Sequence, residues 1–151
     1  MMRASIVAGT QAGRESMPFA AVADWLVEQL RPLLPNEYAP YRTGLYLATP
    51  DAGAEASVAF WSEVRAEGAA FANPRDFPWT LASSPAGHAA MALDLRGPNY
   101  TLVGADAAAR AALHHALADL AADRIDHALV VVLDTTRGAH LGALLLTRGA
   151  P

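Results

Sequence analysis

Short apolar runs bounded by turn residues alternate along this chain with longer stretches of helical period, a pattern that restricts it to an α/β domain on a largely parallel sheet. A first strand is predicted at residues 5–8, followed by a polar loop over residues 9–17. Pro18 can occupy the first turn of a helix on which Phe19, Val22, Leu26, Leu30 and Leu34 recur, with Pro32 ending or kinking it. Residues 43–48 alternate around Leu45, Tyr46 and Leu47 as a second strand, and Pro50-Asp51-Ala52-Gly53 is the turn. Ala54–Glu67 reads as a helix with Val58, Trp61 and Val64 on one stripe and Gly68 as its stop. Residues 78–95 read as mostly helical, interrupted at Ser83-Ser84-Pro85. A third strand is expected at residues 100–105, an Ala-rich helix at 107–122, and a strongly apolar fourth strand at 127–133. Arg137-Gly138 begins the turn to a fifth strand at 141–147. These last two strands are too closely joined for a crossover helix, so they should pair antiparallel. The expectation is a five-stranded mixed sheet, mostly parallel with the last strand antiparallel, flanked by helices in one domain over residues 1–151.

Composition narrows the function classes. Of the 151 residues 53% are hydrophobic and 17% charged, which excludes a disordered or nucleic-acid-coating chain and points to a surface that is largely apolar or covered by a partner. A net charge of −4 supplies no basic footprint, so neither nucleic acid nor an anionic membrane is an expected partner. There is no cysteine, which removes disulfides, thiolate metal sites and thiol nucleophiles, and no lysine to form a Schiff base. The N-terminal apolar run is too short for a signal peptide and no later run reaches a membrane span, so a cytoplasmic location is expected. Gly9-Thr10-Gln11-Ala12-Gly13 lacks the phosphate-loop patterns, and no cofactor is expected.

Three landmarks follow one another in order: Asn73-Pro74, Ala86-Gly87-His88-Ala89-Ala90 and Gly97-Pro98-Asn99. An Ala-rich helix, Asp126 before an apolar strand and Leu144-Leu145-Leu146 succeed them. Together they resemble the N-terminal half of the β-ketoacyl synthases along nearly the whole chain. The resemblance implies a thiolase-like half-domain. It also implies that the strand after Gly-Pro leads through a tight elbow to a Cys at a helix N-terminus, where backbone N–H groups favour a thiolate and an oxyanion. That position falls on Asp106, within Gly104-Ala105-Asp106-Ala107-Ala108. A carboxylate cannot carry an acyl chain as a thioester, and Asp is also a common helix N-cap. In the family the C-terminal half supplies two catalytic histidines. This sequence stops where that half would start, so neither can be assigned. The resemblance therefore implies a non-catalytic relative of the chain-length-factor type, not a working synthase.

Other candidate chemistry is sparser. His115 and Asp119 lie one helical turn apart, which makes a metal site or acid/base pair conceivable, although no third ligand follows and no metal is expected. Ser84 and His88 are similarly spaced, but Pro85 intervenes, no G-x-S-x-G elbow is present and the sequence places no acid to orient the imidazole. Trp25, Trp61 and Trp79 lie in different elements, as packing or interface anchors would. Two functions remain open: a dimerising accessory that pairs with itself or with a full-length ketosynthase, and with an acyl carrier protein, in fatty acid, polyketide or aryl polyene biosynthesis; or an acyl-thioester-binding protein or hydrolase using Asp106 and His115.

Overall fold

A computed structural model describes residues 4–15, 19–51 and 53–149. The elements run β1 (Ala4–Arg14), α1 (Phe19–Leu30), β2 (Thr43–Thr49), α2 (Ala54–Glu67), α3 (Ser84–Ala92), β3 (Asn99–Val103), α4 (Asp106–Ala121), β4 (His127–Asp134) and β5 (Ala139–Arg148). The strands form one sheet in the order β1-β5-β4-β2-β3. β2 pairs parallel with both β3 and β4, whereas β5 pairs antiparallel with β4 and β1. Four strands thus point one way and β5 the other, the mixed sheet expected from the closely joined final pair.

Side chains alternate across this sheet and build two cores. On one face Leu45, Leu47, Leu129, Val131 and Leu145 pack under α1 and α3, through Val22, Leu26, Ala86 and Ala89. On the other face Tyr46, Ala48, Ala128, Val130 and Leu146 pack under α4. Every residue of β2 is buried, as both its faces are covered. α4 presents Ala108, Ala112, Ala116 and Leu120 to the sheet. Those positions recur every four residues, and their short side chains let the helix axis come close to the strands.

Several elements depart from the sequence expectation. β1 runs on to Arg14 where a polar loop was predicted, because it pairs with β5 along nearly its whole length. Pro18 and Ala52 lie outside the described residues. α1 stops at Leu30, and Arg31–Leu33 form a 3₁₀ turn around Pro32. The predicted helical stretch at 78–95 resolves into a 3₁₀ turn, Phe77–Thr80, and α3, which carries Pro85 in its first turn. The Val58, Trp61 and Val64 stripe of α2 does not face the core: Val58 and Trp61 are exposed, and Phe60 is the buried contact, ringed by Trp61 and Phe77.

The Gly97-Pro98-Asn99 landmark has a local cause. Gly97 N–H donates to Thr43 C=O at 3.2 Å and Leu45 N–H donates to Pro98 C=O at 2.9 Å, so the segment crosses directly over the start of β2. A Cβ on Gly97 would stand 2.5 Å from the Thr43 oxygen, a position no side chain can share.

Candidate functional site

The elbow that the sequence singles out sits at the carboxyl end of the parallel strands. β3 ends at Val103, and Gly104 donates its N–H to Thr49 C=O at 2.9 Å with a φ of +148° that L side chains rarely adopt. Ala105 caps α4, and Asp106 is the first helical residue. Asp106 is thus one position past the cap it was expected to form, with its exposed carboxylate at the positive end of the helix. Ala105, Asp106, Ala48, Thr49, Pro50, Val132 and Asp134 line a pocket of about 180 Å³ here. Thr136 holds the Asp134 carboxyl below the ordinary carboxylate range, first through its hydroxyl at 2.6 Å and then through its backbone N–H at 2.9 Å. Asp51 closes the same end of the sheet, accepting from the Thr135 hydroxyl at 3.0 Å. The pocket is carboxylate-bearing and contains no side-chain base other than these acids.

His115 is not brought to Asp106. Both lie on α4, nine residues apart, a separation of about 13 Å at the helical rise of about 1.5 Å per residue. Nor does His115 pair with Asp119. The imidazole stacks on Tyr100 at 5.3 Å between ring centroids, and Tyr100 stacks on Tyr46 at 5.6 Å, so three rings run from the surface to the core. Asp119 is buried beneath them: one carboxylate oxygen accepts the Tyr46 hydroxyl at 2.5 Å and the other accepts from Arg124 Nε at 2.8 Å. Burial, reinforced by the Asp119 hydrogen bond, pushes the Tyr46 phenol well above its usual range, so it stays a donor. The cluster is a satisfied polar node in the core, worth more to the fold than to chemistry.

His88 has an acid partner that the sequence did not reveal. Asp24, from α1, lies 2.8 Å from His88 Nε2. Ser84 is directed elsewhere, donating its hydroxyl to Pro78 C=O, so no Ser–His–Asp relay is assembled. Among the described residues no group of three or more His, Asp or Glu could hold a metal ion, and no helix is long and apolar enough to cross a membrane.

Two surfaces of the sheet stand open. On the α4 side, Leu113, Leu117, Val132 and Leu144 are exposed, and an apolar groove runs from Gly9 to Val130. At the end of the sheet, β3 has β2 on one side and, among the described residues, no strand on the other.

This arrangement defines a half-domain of the thiolase-like condensing-enzyme fold. Solved structures share it at low sequence identity. The ishigamide ketosynthase/chain length factor superposes with a TM-score of 0.65 at 19% identity, covering 74% of this chain and 37% of the other. A type II polyketide ketosynthase solved with its acyl-carrier protein, AntDE with AntF, gives 0.72 at 15% identity, covering 89% and 44%. The ketosynthase–chain length factor pair ApeO–ApeC from Xenorhabdus doucetiae gives 0.64 at 14% identity, covering 89% and 62%. The chain therefore spans 37% to 62% of the length of these structural relatives. No curated protein matches the sequence. The family described as the β-ketoacyl synthase N-terminal domain matches residues 20–146, and the chain belongs to that family.

Proposed function

We propose that this chain is a non-catalytic member of the β-ketoacyl synthase family, a single N-terminal-like domain that works by association. It acts as a dimerising accessory or chain-length-factor-like partner in polyketide, fatty acid or aryl polyene biosynthesis. The observation that carries the reading is Asp106, at the start of α4 and after the Gly104 elbow, in a sequence without cysteine. A carboxylate there offers no sulfur to accept an acyl group, and the pocket around it contributes one further carboxylate, Asp134, where condensation would need a nucleophile and a base. The open β3 edge and the exposed Leu113, Leu117, Val132 and Leu144 supply surface for a partner. The solved relatives include ketosynthases paired with chain length factors and one bound to an acyl-carrier protein, which favours the same classes of partner here.

The test has two parts. Sedimentation at micromolar concentration, alone and with a ketosynthase encoded beside it, should show a dimer or a heterodimer. Incubation with acyl thioesters followed by mass spectrometry should leave the chain unmodified. A clean monomer in every mixture, or a stable acyl adduct on the protein, sinks the proposal.

A further inference from the structure

Residues 54–83, which lead from β2 to α3, stand apart from both cores. Phe60 is the one buried residue among them, and no side chain of the segment belongs to the cluster under α1 and α3 or to the cluster under α4. The flanking elements are the opposite case: every residue of β2 is buried, and α3 buries Pro85, Ala86, Ala89 and Ala90. What the segment buries, it buries against itself. α2 packs mainly on the Phe77–Thr80 turn. The Phe60 ring meets that of Phe77 at 5.7 Å between centroids, and the Ser57 hydroxyl donates to Thr80 C=O at 3.0 Å. The Thr80 hydroxyl in turn donates to Phe77 C=O at 2.7 Å. Helix and turn therefore make one body, held by an aromatic contact and hydrogen bonds of its own.

This body is attached to the rest of the chain at its two ends. At the first, Asp51 is held by the Thr135 hydroxyl at 3.0 Å, and Gly53, in the left-handed region at a φ of +74°, comes immediately before α2. At the second, two contacts clasp the turn to α3: the Ser84 hydroxyl donates to Pro78 C=O, and the Trp79 ring lies 6.1 Å from that of His88. Asp24 of α1, 2.8 Å from His88 Nε2, fixes the imidazole.

We infer that residues 54–83 form a hinged flap, which swings open as one body on Gly53 and Ser83 while the sheet, α1 and α4 stay folded, and that the contact of Trp79 with His88 is its latch. The free energy of a local opening follows from the apolar surface and the hydrogen bonds that it exposes. Detaching the flap leaves both cores and the Phe60 contact with Phe77 in place, so it costs far less than unfolding the sheet. Gly53 takes up the backbone rotation, since it has no Cβ to restrict it. The exposed Val58, Trp61, Phe71 and Phe77 travel with the flap, whose position therefore sets where this aromatic surface stands relative to the sheet.

Native-state hydrogen exchange of the full chain, read by mass spectrometry at rising but sub-denaturing urea, tests this. The amides of α2 and of the Phe77–Thr80 turn should exchange together, about a hundredfold or more faster than the protected amides of β2, β4 and α4, and with little dependence on urea. His88→Ala, and Trp79→Leu from the other side of the latch, should each speed exchange in both parts of the flap by about three- to tenfold and leave β2, β4 and α4 unchanged. Exchange of α2 at the rate and urea dependence of β4 overturns the flap. Exchange of α2 without the turn is fraying of a single helix, and overturns it as well. Joint exchange that neither substitution alters upholds the flap and overturns the latch.

Discussion

Tyr46 and Asp119 illustrate how much of the site is decided by single side chains. The Tyr46 hydroxyl is the donor to one carboxylate oxygen of a buried acid, and Arg124 serves the other. Tyr46→Phe keeps the ring stack and removes that donor. It should cost about 1–3 kcal/mol in urea unfolding, with the circular dichroism spectrum of the native state unchanged. The burial of Asp119, though not its pairing, could be read from the helix period. Ala108, Ala112, Ala116 and Leu120 recur on one stripe of α4, and Asp119 belongs to that stripe; spacing to His115 alone suggested a metal site or acid/base pair instead. What the sequence could not supply was Tyr46, 73 residues away and brought under α4 by the sheet. Asp24 beside His88 was hidden for the same reason: it lies on α1, and only helix packing joins the two.

Among the elements, the contact between the 97–99 segment and β2 is the least forgiving. Gly97→Ala places a methyl against the Thr43 carbonyl and must displace main chain, so its thermal midpoint should fall by several degrees while a Gly87→Ala control, with open space at its Cβ, stays close to wild type. α4 has a similar limit. Ala112 is fully buried against the sheet, and Ala112→Leu should cost about 1–3 kcal/mol in denaturant unfolding through overpacking. Strand and helix identities were readable from period, and Ala54–Glu67 was found to the residue. The facing of α2 was not, because its Val58 and Trp61 stripe has the period of a core helix while the helix packs mainly on the Phe77–Thr80 turn. The length of β1 was missed because Gly9, Thr10, Gln11 and Gly13 are poor strand formers, held extended by β5.

At the scale of the whole molecule, one charged cluster ties together segments distant in sequence. Arg42, before β2, bonds Asp126 through Nε at 2.7 Å and Asp123 through Nη2 at 2.5 Å, and Arg148, ending β5, joins both acids. Hydrogen bonds from Arg42 are the chief reason both carboxyls titrate below their ordinary range. A lowered folded-state pKa contributes stability that is complete above the unfolded value of about 4 and is lost as pH falls through the lowered values. Arg42→Met should therefore melt at lower temperature at pH 7 and show a flatter decline below about pH 4, so that the two proteins converge in strong acid. The α/β class and the reversed final strand were legible from alternation and a short turn. The sheet order was not, since nothing local in β1 says that its neighbour is β5.

That neighbour has a consequence for how the chain is made. Of the five strands β1 is synthesised earliest, yet its one strand partner among the described residues begins about 125 residues after β1 ends. At a synthesis rate of about 5–20 residues per second, β1 waits roughly 6–25 s before any strand can receive it. β2, β3 and β4 can pair among themselves before then, so β1 joins the sheet late and is a segment a nascent-chain chaperone would meet unpaired.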